Sequence, residues 1–253
     1  MNYIKFLGTA GARFVMMKQL RASGGIWFSL DDTRMLVDPG PGAVVKVNSS
    51  RPRLPAEKLD AIFLSHRHID HSNDINVMIE AMTDGGFKKR SVLLCPGDAL
   101  ENPPVVFPYV QKFLDKIEIL KAGNQYKIKN LTIDIPCRMH HGVETYGFKL
   151  LSDSLPVISY LPDTEFAEDI IDGYSGTEIL IISVVFFEPR PGIPHLSLPE
   201  AMNIIKSIKP RKAIMTHFGM GMLKNRIWEK TEKLSENAGL EIIAAKDGMT
   251  VEI

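Results

Sequence analysis

Residues 59–64 (Leu59, Asp60, Ala61, Ile62, Phe63, Leu64) make a short apolar run of strand length, and residues 69–82 carry Ile75, Met78, Ile79 and Met82 at helical spacing. Between the two patterns sit His66, Arg67, His68, Ile69, Asp70 and His71, so three of the seven histidines and one aspartate fall within six residues. A buried strand that feeds a helix through such a loop suits an α/β architecture, in which sites form at the carboxyl ends of strands. Asp70 at the start of the helix is also favourable with the helix dipole. Neutral imidazole and carboxylate suit borderline divalent metals, and no cysteine lies in the loop, so the stretch reads as half of an N/O metal site. A His-rich run can also be a solvated surface tract, but its seat between a buried strand and a helix disfavours that reading.

The rest of the chain alternates in a way that places the other half. Strands are expected over 3–7, 26–30, 34–37, 91–94, 117–120, 125–128, 131–135, 146–151, 157–161, 179–183, 212–215, 241–244 and 249–253, and helices from Ala43 and over 109–115, 198–208 and 222–238. Asp31, Asp32 and Thr33 form a hairpin turn, and Asp38-Pro39-Gly40-Pro41-Gly42 breaks the sheet sharply. The segment 98–108, with Pro103, Pro104 and Pro108, has weak periodicity and reads as a loop or lid. Each half of the chain runs through strands first and then alternates strand with helix. Two mixed sheets packed face to face, with helices outside, satisfy that order, with the site at their common edge. No composition break divides the chain, so residues 1–253 are expected to form one domain.

Charge and cysteine content narrow the function classes. Thirty basic residues balance thirty acidic ones, so no net field favours nucleic acid or an anionic membrane, and Lys18, Lys88, Lys89 and Arg90 form no stripe with aromatics between them. Cys95 and Cys137 are too few and too far apart for a disulfide framework or a cysteine zinc knuckle. No signal peptide or apolar span is read, so a cytoplasmic protein is expected. Its expected partner is a small-molecule substrate, with no clear nucleic-acid channel and no membrane; homo-oligomerisation is left open.

The remaining histidines all follow or flank strand-like runs: His140 and His141, His195, and His217. Asp163 joins them after the run ending at Leu161. Any one of these alone is weak, because a histidine after a strand is commonly a hydrogen-bonded structural residue. Together they put every histidine of the chain in one of a few strand-end loops.

The series His66-x-His68-x-Asp70-His71, then His141, Asp163 and His217, resembles the metallo-β-lactamase superfamily over nearly the whole chain. The Gly8-Thr9 loop, Val37-Asp38-Pro39-Gly40 and Asp247-Gly248-Met249 also fall in that family's order. The resemblance implies an α/β fold, the four-layer αβ/βα sandwich of two mixed β-sheets flanked by helices, with a dinuclear metal site. One ion would take His66, His68 and His141, the other Asp70, His71 and His217, and Asp163 would bridge them. His141 is favoured over His140 because residues 141–148 resemble the family's third motif in register; His140 remains a neighbour of open role. Asp38 resembles the buried aspartate that orients the ligand loop.

Three positions refine the implied chemistry. His68 stands where di-iron oxidoreductase members carry Glu, and Asp163 where the commonest true β-lactamases carry Cys. A hydrolytic pair of divalent ions, zinc or else manganese, is therefore implied. His195, followed by Leu196-Ser197 and by Glu200-Ala201, resembles the extra histidine of the phosphodiesterase branch, which includes RNase Z and the cyclic phosphodiesterase of phosphonate breakdown. Segment 98–108 is short for the arm of the former, and two cysteines cannot build the extra zinc site of the latter. The expected function is thus a dinuclear-metal phosphodiesterase for a small organic phosphodiester or nucleotide-like substrate, with a metal-bridging hydroxide as nucleophile and Asp70 and His195 as catalytic residues. The alternatives are an ester, thioester or lactone hydrolase on the same site, or a non-catalytic metal-binding protein. Arg13, Arg21 and Arg67 lie nearest the site loops, and a guanidinium suits a phosphate; whether they bind substrate is left open.

Overall fold

A computed structural model describes residues 1–253, apart from the side chain of Ala12. The chain opens with β1 (Tyr3–Phe6) and α1 (Ala12–Met17), then β2 (Ile26–Leu30), β3 (Thr33–Val37), α2 (Ala43–Ser49) and β4 (Ala61–Phe63). Two helices, α3 (Ile69–Ser72) and α4 (Ile75–Thr83), lead to β5 (Arg90–Cys95), α5 (Pro108–Gln111) and β6 (Leu114–Ile119). A run of antiparallel strands follows as β7 (Gln125–Ile128), β8 (Leu131–Asp134), β9 (Phe148–Leu151) and β10 (Ile158–Leu161). The last part alternates through α6 (Glu168–Gly173), β11 (Ile179–Ser183), α7 (Leu198–Ile208), β12 (Lys212–Thr216), α8 (Met220–Lys224), α9 (Thr231–Ala238), β13 (Glu241–Ala244) and β14 (Thr250–Glu252).

These strands build two seven-stranded mixed sheets, ordered β14-β1-β2-β3-β4-β5-β6 and β13-β12-β11-β10-β9-β8-β7. In the first, β3 to β6 run parallel; in the second, β10 to β13 do. The alternation of side chains along a strand fixes the layering. Ala61 and Phe63 face the core between the sheets, whereas Ile62 and Leu64 face the helices that cover the first sheet. Ile179 and Ile181 likewise point between the sheets, and Leu180 and Ile182 point under α6 to α9. Strands apolar on both faces are what a doubly covered parallel sheet requires. Phe148 clamps the central core, its ring 4.9 Å from that of Phe63 and 5.9 Å from that of Phe28, both edge to face. The four-layer αβ/βα sandwich is therefore present as the residue pattern implied.

Several elements differ from the sequence reading. The helix expected over 69–82 breaks at Asn73 and Asp74, because the Asp74 carboxylate accepts the Val44 N–H (3.1 Å) and its own N–H donates to the Pro39 carbonyl (2.9 Å). The helix expected over 222–238 is interrupted where Arg226 turns left-handed (φ 50°). The helix expected over 109–115 forms only in its first part, as α5 to Gln111, before Lys112 and Phe113 turn into β6; α1 and α6 were not anticipated. Segment 98–108 is a packed loop rather than a free lid: Ala99 and Val106 enter the first sheet's helical core, and Asn76 bonds Val105 O (2.9 Å) and Phe107 N (2.8 Å).

Both halves are stitched together where the site forms. Tyr146 N donates to Ser65 O (3.0 Å), and on the other side Phe218 N donates to Thr9 O (2.8 Å) while Gly11 N donates to Phe218 O (3.0 Å). Gly11 and Gly40 have room for nothing larger: a Cβ on Gly11 would lie 2.0 Å from His217 O, and on Gly40 2.0 Å from Asp70 O. Backbone approaches of this kind pull the two histidine-bearing loops onto one another.

Candidate metal centre

Loops at the carboxyl ends of β4, β10 and β12 deliver His66 to His71, Asp163 and His217 to one place, and the turn before β9 adds His141. Three clusters result, each with its ligand atoms within 4.8 Å of one another: His66, His68 and His141; Asp70, His71, Asp163 and His217; and His141, Asp163 and His195. His68 Nδ1 and His141 Nε2 approach to 3.1 Å. Asp163 stands among the imidazoles, with Oδ2 3.4 Å from His71 Nε2, 4.0 Å from His66 Nε2 and 3.4 Å from His195 Nδ1, and Oδ1 3.3 Å from His217 Nε2. Asp70 Oδ2 lies 3.6 Å from His217 Nε2 and 3.9 Å from His71 Nε2. The structure thus brings together all seven residues expected to ligate, with His195 beside them.

The clusters suit cations on physical grounds. His66 Nε2, His71 Nε2, His217 Nε2, His195 Nδ1 and Asp163 Oδ1 are buried without a hydrogen-bond partner, which is costly unless something of opposite character sits among them. Burial holds His66 well below the usual imidazole range, aided by His71, and burial also lowers His68 and His141. Those three rings are therefore neutral, the form that ligates. Burial disfavours a charged His71 too, but Asp38 and Asp70 outweigh it and pull its pKa well up. For Asp163, burial is outweighed by His217 and His195, which hold the carboxyl well below its ordinary range. Buried carboxylates and uncommitted imidazole nitrogens together make an anionic N/O donor set suited to borderline divalent ions.

Asp38 organises the ligand loop from below. Its carboxylate accepts from Ser65 N (2.7 Å), Ser65 Oγ (2.7 Å), His71 Nδ1 (2.9 Å) and Tyr160 O–H (2.8 Å). The bond to Nδ1 turns His71 Nε2 toward the cluster. Pro194 O does the same for His141 by accepting from its Nδ1 (2.8 Å), leaving Nε2 for the cluster. Asp38 and His217 both adopt left-handed backbone, at φ 51° and 61°, a strain that the surrounding hydrogen bonds and packing must offset. Replacing Asp38 with alanine is expected to weaken divalent-metal affinity about 10- to 100-fold, measured by competition with a chelating indicator. An unchanged affinity would mean that His71 needs no such support.

Other expected neighbours point elsewhere. His140 Nε2 meets both oxygens of Asp169 at 3.0 Å on the exposed face of α6, away from the clusters. Arg67 donates to Pro103 O (2.6 Å) and so anchors the packed loop, and the Arg21 guanidinium lies 5.3 Å over Trp228. Arg13 is exposed on α1. The sequence reading missed Tyr160 and the Pro194 carbonyl. It also missed a reciprocal clasp in which Asp98 Oδ2 accepts from Glu144 N (3.2 Å) and Glu144 Oε2 from Asp98 N (3.3 Å). No one-dimensional signal marks a backbone carbonyl as a partner; Tyr160, three residues before Asp163, could have been found from its position.

The cysteines stand outside this chemistry. Burial pushes both thiols from 9.0 up to about 12. Folded-state pKa values above the unfolded ones add stability that is complete below about pH 9 and is lost as pH rises toward 12. At pH 8, Ellman's reagent is expected to modify the native protein far more slowly than the denatured one; equal rates would contradict burial of the thiols.

Residues 33–218 match the beta-lactamase superfamily domain, and the chain belongs to that family. An uncharacterized protein of Methanocaldococcus jannaschii, MJ1374, is 34% identical over 256 residues, covering 99% of this chain and 94% of that one. The fold is shared with the metallo-beta-lactamase fold protein YhfI of Bacillus subtilis, at TM-score 0.79 and 23% identity, covering 100% of this chain and 99% of that one. It is also shared with a diphosphatase from the PhnP family, at TM-score 0.74 and 18% identity, covering 100% and 98%. Family membership and the His/Asp clusters support a metal-dependent hydrolase. Among the described residues, no helix is long and apolar enough to cross a membrane.

Proposed function

We propose that the protein is a dinuclear-metal phosphodiesterase acting on a small organic phosphodiester or nucleotide-like substrate. The observation that carries this reading is the seat of His195, an imidazole with 18% side-chain exposure held against the buried Asp163 at the open side of the clusters. His66, His68 and His141 would hold one ion, Asp70, His71 and His217 the other, and Asp163 both. Zinc is the expected metal, with manganese the alternative. When bound, two divalent ions lower the pKa of water from about 15.7 toward about 7 and neutralise charge on phosphoryl oxygens.

The chain's own residues supply the rest. Asp70 Oδ2 faces His71 and His217, which leaves Oδ1 to accept the hydrogen bond that orients the attacking water. Burial lowers the proton affinity of His195, but the Asp163 carboxylate outweighs it and raises the pKa above the ordinary value. That shift favours the protonated ring that a general acid needs. As water bonds to phosphorus and the bond to the departing alkoxide breaks, His195 hands that oxygen a proton. Ser65 takes no part in this transfer, because its hydroxyl is committed to Asp38.

The test compares turnover of bis(p-nitrophenyl) phosphate, a lactone and a thioester by protein loaded with zinc or manganese. Phosphodiester cleavage is expected to dominate. Preferential cleavage of the lactone or thioester would replace this reading with the ester-hydrolase one, and tight metal binding with no turnover of any would support a non-catalytic role.

A further inference from the structure

The loop between β11 and α7 carries more than His195. Its neck is closed where Phe186 bridges to Ser197: Phe186 N donates to Leu196 O (3.1 Å) and Leu198 N donates to Phe186 O (2.8 Å). Helix α7 fixes the far side of that neck through a capping box, in which Glu200 Oε2 accepts from Ser197 N (2.7 Å) and Ser197 Oγ. Pro194 O, near the other end of the tip, is the acceptor for His141 Nδ1, so the loop is tied to the metal cluster as well as to the sheet. Residues 188–193 form an exposed tip beyond this closure.

Arg190 sits in that tip between Pro189 and Pro191. Pro191 restricts the Arg190 backbone to extended conformations and Pro189 fixes its own φ, so the backbone of the tip is stiffened on both sides of the arginine. Its guanidinium lies 4.9 Å from the centre of the Phe186 ring, and that ring meets the imidazole of His195 at 6.0 Å, nearly perpendicular. Stacking on an aromatic face leaves the in-plane N–H donors free. No ion pair and no hydrogen bond engages them among the described residues. An unpaired planar cation on a stiffened backbone thus stands one aromatic ring away from His195, within reach of a group carried on either ester arm of the substrate.

We infer that Arg190 anchors a second phosphate of the substrate, beyond the phosphoryl group that is cleaved, and so selects substrates with two phosphates. The inference rests on the phosphodiesterase reading. A guanidinium matches a phosphate through paired, charge-assisted hydrogen bonds, which a single hydroxyl or ether oxygen cannot replace. Phe186 holds the anchor at a fixed distance from His195, so the spacing between the two phosphates becomes part of the selection.

Thymidine 5′-(p-nitrophenyl phosphate) and its 3′-phosphorylated form release the same chromophore and differ by one phosphate. The native metal-loaded protein is expected to favour the 3′-phosphorylated substrate by about tenfold or more in kcat/KM, mostly through KM. Arg190→Ala should bring the ratio near one, and Arg190→Lys, a point charge without the fork, should retain part of it. Calorimetry should show the same Arg190-dependent ratio for thymidine 3′,5′-bisphosphate against thymidine 5′-monophosphate. A native preference that is absent, or that survives Arg190→Ala in both assays, overturns the inference. Failure to cleave either chromogenic substrate, with Arg190-dependent binding of the bisphosphate intact, overturns the phosphodiesterase reading and leaves the anchor standing.

Discussion

Asp163→Ala is expected to reduce phosphodiester turnover by at least about 10³-fold, more than the loss of a single stabilising donor commonly costs. The carboxylate is the one group within 4.0 Å of ring nitrogens of His66, His71, His195 and His217, so its removal disturbs every part of the site at once. Metal stoichiometry should fall below that of the native protein. A second readout does not depend on metal. Asp163 raises the His195 pKa against burial, so in the metal-free variant that pKa should drop below its native value, as followed by the ring-proton shifts of His195 in NMR titration. Near-native turnover in Asp163→Ala would show that the two halves of the cluster do not act through a shared carboxylate.

His195→Ala should behave differently. His195 lies outside the two ligand sets, so the variant is expected to keep its metal while kcat for an alkyl phosphodiester, whose departing alkoxide needs a proton, falls about 10²-fold or more. The fall should shrink for leaving groups of low pKa such as p-nitrophenolate, which need little protonation. A uniform fall across leaving groups would assign His195 to binding phosphoryl oxygens instead. Unchanged turnover would remove its catalytic role and with it the main support for the phosphodiester reading.

Much of this architecture is legible in the sequence because the same residues do two jobs. Leu59 to Leu64 is apolar on both strand faces and ends in ligands, so burial and chemistry mark one position together. The same holds for the runs that end before Asp163 and His217. Helix continuity was less legible. Ile75, Met78, Ile79 and Met82 give a clean helical period, yet Asp74 ends the preceding turn by bonding to Val44 and Pro39, partners about 30 residues away. Arg226 breaks the last helix through a left-handed backbone that no residue type there announces. The arginines were the least legible part. Proximity in sequence pointed to Arg13, Arg21 and Arg67, whereas Arg67 is spent on a carbonyl and Arg21 on Trp228. Arg190, 27 residues after Asp163, is brought beside His195 by the closure of a loop neck.

The inner support of the site also depends on tertiary partners. Asp38 draws four donors from the loop after β4, from α3 and from β10, and only its place after β3 was readable beforehand. Its left-handed backbone and the close contact at Gly40 are the local cost of holding the ligand loop in one geometry.

The most direct measurement is the number of divalent ions bound per chain, determined by elemental analysis after saturation and by titration of the chelator-stripped protein. Two ions per native chain are predicted, with phosphodiester turnover lost on chelation and restored by zinc or manganese. A single ion at saturation, or turnover that survives complete removal of metal, would contradict the dinuclear site.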